Sequence, residues 1–264
     1  SAPAAPSGAS VWSDRRAGPW RHFTRARRSL AVSCCSMCGR FNVASTPGLQ
    51  ALLESLGSDL HLVPRYNVAP TETVQLLRRD DAGTVGLSDA RWWLTPHWAK
   101  EPSQKYSMFN ARSEGLEKSP AFRRPFASQR GIVPMSSFIE WRGAPGKKQP
   151  WLISNPGEAL AIAALWDVWR GGDEPLLSCT LVTTESAESF RPWHDRMPVC
   201  LDESERARWL DNDLRIAPDD SLFRPALKTP LRLVPVDRAA GNARNKKADV
   251  MAPVGEIVEL PAGD

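Results

Sequence analysis

The amino-acid sequence predicts an α+β fold: a single domain with a curled, mainly antiparallel, barrel-like β-sheet and short flanking helices. Two observations carry this. Short apolar runs separated by turn residues recur through the middle of the chain, whereas segments with helical spacing are few and short. In addition, 264 residues at 42% hydrophobic content are enough for one large core or two small ones. There is no internal repeat and no phosphate-cradling glycine loop.

Taken in order, Cys38 to Val43 fits a short strand. Thr46-Pro47 supplies an N-cap and a proline at the first helical position. Leu49, Leu52, Leu53 and Leu56 follow at helical spacing, and Gly57 closes that helix. Arg65 to Pro70 reads as a loop leading into a strand at Thr73–Arg78, and residues 90–94 read as another strand. A long polar connection runs to Phe109. Helical turns are expected between Arg112 and Ser128. Strands are expected at Gly131–Val133, Phe138–Trp141, Trp151–Ser154, Leu160–Trp166 and Leu176–Thr183. Asp202 with Glu205 forms a capping-box pattern opening a helix through Leu210. A last strand fits Leu231–Val236.

Residues 1–36 are expected to be a disordered leader, a targeting peptide or translated upstream sequence with Met37 as the true start. The last of these is the favoured reading. A loose tail is expected over 255–264, which leaves 37–254 as the folded domain. The formal charge is +4, but residues 1–36 hold six arginines and one aspartate, so the remainder sums to −1. Any affinity for nucleic acid must then come from a local patch. No apolar run approaches a membrane span. Five cysteines without a pairing pattern exclude a disulfide framework and suit a reducing cytoplasm. Cys34-Cys35-x-x-Cys38 lacks the second ligand pair of a zinc site, so no metal and no cofactor is expected.

Met37-Cys38-Gly39-Arg40 is the most informative stretch. If Met37 is trimmed, Cys38 carries a thiol and an α-amine of pKa about 7.7–8.0, against about 10.4 for lysine. Such a 1,2-aminothiol forms an imine with an aldehyde and then closes a thiazolidine ring. The plainer alternative is a buried, inert cysteine. Other stretches place ionisable or amide groups beside turns: Arg65–Pro70, Phe109-Asn110-Ala111-Arg112-Ser113-Glu114, Phe138-Ile139-Glu140-Trp141, His194-Asp195-Arg196-Met197-Pro198 and Gly241–Asn245. Each has a structural alternative. Asn110 fits a helix N-cap, His194 fits a surface histidine, and the arginines fit solvated positions. Glu140, in an aromatic strand, needs a partner or a raised pKa.

Together and in this order these stretches resemble the SOS response-associated peptidase (SRAP) family, whose members include proteins that shield abasic sites in single-stranded DNA by covalent crosslinking. The resemblance runs from Met37 to about Val254. It implies that Cys38 is the nucleophile, that Asn110 orients it and the sugar, and that Glu140 is the acid/base. It also implies that His194 assists ring opening. Arg40, Arg112 and Arg196 would contact phosphates, and Trp98 would pack on a base. Gly39, Asn67, Pro70, Trp141 and Thr183 would complete the DNA surface. The implied partner is abasic single-stranded DNA, bound by a monomer with no membrane association. Self-cleavage before Cys38 would explain the family's peptidase name. A cysteine peptidase using Cys38, His194 and Glu140 or Asn110, or a non-catalytic reader of modified DNA, are the competing readings.

Overall fold

The structure is a computed structural model describing residues 39–57, 62–80, 82–144 and 146–263. Cys38 and the segment before it lie outside these residues, as do the expectations placed on them. In chain order the elements are β1 (Phe41–Val43), α1 (Pro47–Ser55), β2 (Arg65–Val68), β3 (Thr73–Arg79), β4 (Val85–Trp92), β5 (Asn110–Arg112), α2 (Arg123–Ser128), β6 (Arg130–Met135), β7 (Ser137–Arg142) and β8 (Gln149–Ser154). They continue with β9 (Leu160–Trp169), β10 (Leu176–Glu185), β11 (Arg196–Pro198), α3 (Glu203–Leu210), β12 (Leu231–Pro235) and β13 (Val258–Leu260).

The expected curled sheet is a closed barrel. β10, β4, β3, β6 and β9 pair in that order, and β9 returns to β10. Every seam is antiparallel except β10 against β4. β5 and β11 extend β10 beyond the barrel. A second sheet, ordered β13-β12-β8-β7-β1-β2, is antiparallel throughout. The chain passes from barrel to second sheet at Ser136, whose N–H and hydroxyl both donate to the Asn42 carbonyl. Gly131 allows β6 to cross β3 closely, because a Cβ there would stand 2.8 Å from the Leu77 carbonyl oxygen.

One large core fills the barrel and the adjoining sheet face with Leu76, Leu77, Ile132, Val133, Ile162, Leu165, Phe41, Phe138 and Phe190. A smaller cluster of Ile139, Val236, Ala240, Val250 and Met251 covers the other face of the second sheet. Successive residues of a strand point to opposite faces. Phe138 therefore enters the large core and Ile139 the small one, and β7 reads as apolar because both its faces are covered.

The two local helix signals hold. Thr46 Oγ1 accepts from the Leu49 N–H at 3.2 Å, and Leu49, Leu52 and Leu53 are buried. Gly57 ends the helix with φ 76°, a left-handed conformation that suits glycine. Asp202 and Glu205 form the reciprocal capping box of α3. Three expectations shift. Arg65–Val68 is a strand, not a loop, because it pairs with β1. β4 starts at Val85, drawn out by a seven-residue ladder with β3. The expected loose tail contributes β13, which pairs Val258 to Leu260 with β12.

Arg130 has a structural task. It is fully buried, and its guanidinium donates to the carbonyls of Trp209 at 2.8 Å, Phe126 at 2.8 Å, Ala127 at 3.0 Å and Leu214 at 2.8 Å, and also to Asp211. The end of α2 and the end of α3 are thereby tied to β6.

Candidate functional site

The six motifs, scattered over two hundred residues, form one connected network. β1 pairs with β7 through Phe41 and Phe138, and the Ile139 N–H donates to the Arg40 carbonyl at 3.0 Å. Continued by one residue, this register sets Gly39 beside Glu140. A methyl group placed on Gly39 would meet no heavy atom within 4 Å, so this end of β1 opens onto free space. Glu140 itself is 2% exposed and shares the Phe138 face of β7. On the opposite face the Arg40 guanidinium lies 5.8 Å from the centre of the Trp141 ring. Burial lowers the Arg40 pKa, and the charge of Glu72 opposes that shift.

The β7 strand also meets the segment that carries His194. Glu140 pairs with Trp151 across β7 and β8. The Trp151 ring packs edge-on against Trp193 at 5.7 Å, and Phe138 packs on Phe190 at 6.2 Å. Arg142 lies over the Trp193 ring at 5.0 Å. His194 follows directly and is buried, with only 8% of its surface exposed. Its Nδ1 is 3.0 Å from the Arg196 N–H and 2.9 Å from Asp195 Oδ1. These two contacts exclude each other at one atom: Nδ1 accepts from Arg196 when it is bare and donates to Asp195 when it carries a proton. Burial lowers the His194 pKa, helped by Lys148 and Arg196 and opposed by Asp195, which favours the neutral ring.

β10 joins the remaining pair of motifs. Thr183 stands opposite Arg112 in the parallel β5 ladder and opposite Pro198 in the antiparallel β11 ladder. Asn110 stands opposite Leu181 two residues earlier. Arg196 donates to Glu114 through both terminal nitrogens at 3.0 and 3.1 Å, and to the Thr183 carbonyl at 2.8 Å. Sequence reasoning quoted Glu114 within its motif but gave it no role. Arg112 is exposed.

Asn67 links the last two motifs. Its backbone φ is 52°, its N–H donates to Asn42 Oδ1 at 2.8 Å, and its side-chain amide reaches three carbonyls. These belong to Ala240 at 3.0 Å, Asn242 at 2.9 Å and Asn245 at 3.1 Å. Lys246 in turn donates to the Asn67 carbonyl at 2.7 Å and pairs with Glu72. Asn67 and Thr183 were expected on the DNA surface. Both are buried instead: the Asn67 side-chain nitrogen holds the loop at 240–245, and the Thr183 carbonyl accepts from Arg196. Pro70 and Trp141 keep part of their surface, and Trp98 is 57% exposed in the turn after β4.

Two cysteines fall among the described residues, and neither suits nucleophilic work. Burial pushes the thiol of Cys179 up to about 12. Cys200 retains some surface as a residue, but burial of its thiol also pushes it up to about 12, with Lys228 opposing and Glu205 reinforcing. Both are almost wholly protonated at neutral pH. Among the described residues no group of three or more His, Cys, Asp or Glu could hold a metal ion, and no helix is long and apolar enough to cross a membrane.

A closed mixed barrel beside an antiparallel sheet, with these six motifs knotted at their junction, defines a recognisable class of protein. The profile of the SOS response associated peptidase (SRAP) family matches residues 37–243, and the chain belongs to that family. The abasic site processing protein YoaM of Bacillus subtilis is 35% identical over 225 residues, covering 81% of this chain and 97% of that protein. The abasic site processing protein YedK of Escherichia coli is 29% identical, covering 83% of this chain and all of its own length. HMCES of Xenopus tropicalis, also named an abasic site processing protein, is 29% identical over 72% of this chain and 66% of its own. A crystal structure of a Bacteroides thetaiotaomicron protein superposes with a TM-score of 0.67 at 20% identity, over 80% of this chain and 98% of that one, and shares the fold.

Proposed function

We propose that this chain captures abasic sites in single-stranded DNA as a covalent adduct on Cys38. The observation that carries the reading is the register of β1 on β7, which brings Gly39 to open space beside the buried Glu140. Cys38 is the residue before Gly39 in the chain. The abasic processing activity named for relatives along most of the chain supports the same reading.

The chemistry requires a free α-amine, so the Met37–Cys38 bond must first be broken, by methionine trimming or by cleavage of a longer precursor. The amine of Cys38 adds to the aldehyde carbon of the ring-opened deoxyribose, and water leaves to give an imine. The thiol then adds to the imine carbon, its proton passes to the nitrogen, and a thiazolidine closes. The net change is aldehyde plus aminothiol to thiazolidine plus one water. Glu140 accepts a proton from the α-ammonium, which frees the amine to attack, and returns one to the departing hydroxyl, the two-way transfer for which a sheltered carboxyl is suited. With Nδ1 accepting from Arg196, neutral His194 carries its proton on Nε2 and hands it to the sugar ring oxygen during opening, and Asn110 orients the sugar. Exposed Arg112, with Arg40 and Arg196, holds phosphates, while Trp98 stacks on a neighbouring base.

The test is a denaturing gel of the chain beginning at Cys38, incubated with single-stranded DNA carrying one abasic site. A heat-stable band is expected with the parent chain and none with Cys38→Ala. Cys38→Ser keeps the amine and should give only an adduct that needs borohydride to survive. A stable adduct at parent yield from Cys38→Ala would remove the thiazolidine from the mechanism.

A further inference from the structure

On the barrel wall, where β3, β9 and α2 meet the turn after β4, lies a cavity of about 680 Å³. Arg78, Arg124, Arg170, His97, Trp166 and Asp167 line it. It is separate from the Gly39–Glu140 opening, none of whose residues it includes. We propose that this cavity is a second phosphate-binding site, which takes the sugar–phosphate backbone of the single strand beyond the base stacked on Trp98. The proposal rests on the single-strand reading above.

Three guanidiniums face one carboxylate here, and that carboxylate is already occupied. Asp167 is 1% exposed. Its Oδ2 accepts from the His97 N–H at 2.8 Å and contacts His97 Nδ1 at 2.9 Å. Its Oδ1 accepts from the Val168 N–H at 2.9 Å and from Gln129 Nε2 at 3.5 Å. The nearest guanidinium, that of Arg124, is 3.8 Å away. Asp167 therefore fixes the turn that carries His97 and Trp98 and leaves an excess of two positive charges around the cavity.

The cationic wall is also partly preset. Arg78 lies 4.8 Å above the Trp166 ring and donates from Nε to Ser88 Oγ at 3.1 Å, so its plane is held before any ligand arrives. Arg124 and Arg170 are exposed, and Arg124 has only a long 3.8 Å pairing with Asp167 to give up in closing on an anion. The volume is that of a small-molecule site and admits a nucleotide's sugar and phosphate, more than a lone ion needs. His97 on the cavity wall is the residue before Trp98. A strand stacked on Trp98 is thus delivered to the cavity mouth, and because residues 37–264 carry a net charge of −1, a local cluster of arginines is what can hold it there.

The experiment measures binding of the chain to ordinary single-stranded DNA without an abasic site, so that it is independent of crosslinking. Oligonucleotides of about 6 to about 16 nucleotides are compared at several salt concentrations, with the parent chain and Arg124→Ala/Arg170→Ala. Affinity of the parent should rise with length. The double variant should lose that rise, roughly tenfold at the longest strand, with a salt slope shallower by about 1.4. It should still crosslink the shortest abasic strand at the parent rate. Equal length dependence in parent and variant, or no length dependence in the parent, overturns the proposal. Inorganic phosphate is titrated in parallel, followed by tryptophan fluorescence. A response lost in the double variant, with unchanged length dependence, would assign the cavity to a small free anion and also overturn it. Normal length dependence with no covalent adduct would instead sink the crosslinking reading alone.

Discussion

Glu114 grips the guanidinium of Arg196 through two nearly equal hydrogen bonds, 3.0 and 3.1 Å long, across 82 residues of sequence. This fork-to-fork geometry is the one a phosphate would use on the same arginine. Burial pushes the Glu114 carboxyl up, but the hydrogen bond from Arg196 and the charges of Arg196 and Arg112 bring it below its ordinary value of 4.5. At neutral pH Glu114 is therefore charged, and on the proposed reading it would compete with a DNA phosphate for Arg196. Glu114→Gln should raise affinity for single strands several-fold and steepen the salt dependence by about 0.7. Fluorescence anisotropy at several salt concentrations measures both. No gain in affinity would mean that Glu114 positions Arg196 without competing for it.

Removing the Asn67 amide should loosen the loop at 240–245. Asn67→Ala leaves the carbonyls of Ala240, Asn242 and Asn245 without that donor and forces alanine into a left-handed backbone. Lost hydrogen bonds inside the protein put the expected loss at about 2–4 kcal/mol in urea unfolding. Asn67→Gly tolerates the backbone angle and should recover part of that loss. Equal losses in the two variants would assign the whole effect to the amide.

For His194 the sign follows from a folded-state pKa below the ordinary 6.5. Between the two values the unfolded chain binds more protons, so stability rises with pH in that window. The stability attached to the neutral ring is present above about 6.5 and is lost as pH falls through the depressed folded value. His194→Gln should flatten the acid side of the profile, read as melting temperature between pH 5 and 7. A parallel profile for the variant would remove His194 as its source. On the proposed mechanism crosslinking uses the neutral ring and should weaken over the same acid range in the parent chain.

Asp202→Ala should cost about 1 kcal/mol by removing one half of the capping box on α3. Crosslinking at 25 °C should be unchanged, because α3 packs on β6 and lies outside the motif network. A loss of activity without a loss of stability would contradict that separation.

The helices were legible because their signals are local. Thr46-Pro47 and the Asp202–Glu205 pair each act within four residues. β2 was hidden because Asn67 and Pro70 carry turn signals, whereas pairing with β1 decides the outcome. β4 begins among Gly86, Ser88 and Asp89, weak strand formers that a long hairpin partner holds in place. β13 is three residues long, and its partner strand is some 27 residues away. At the site, motif identity located the chemistry-bearing residue types but not their pairings. The hold of Glu114 on Arg196 and of Asn67 on three distant carbonyls depends on tertiary contacts that no local pattern encodes.

The reach of Asn67 to Asn245 also bears on how the protein is made. These partners are 178 residues apart, and the donor emerges from the ribosome long before the acceptors. Until residue 245 has left the exit tunnel, β2 lacks its clasp and the strand beside Glu140 lacks its final support. On the proposed chemistry, the pocket that would serve the Cys38 amine is complete only once residue 245 is free to pair. On that reading a growing chain would stay unarmed until almost the whole domain exists.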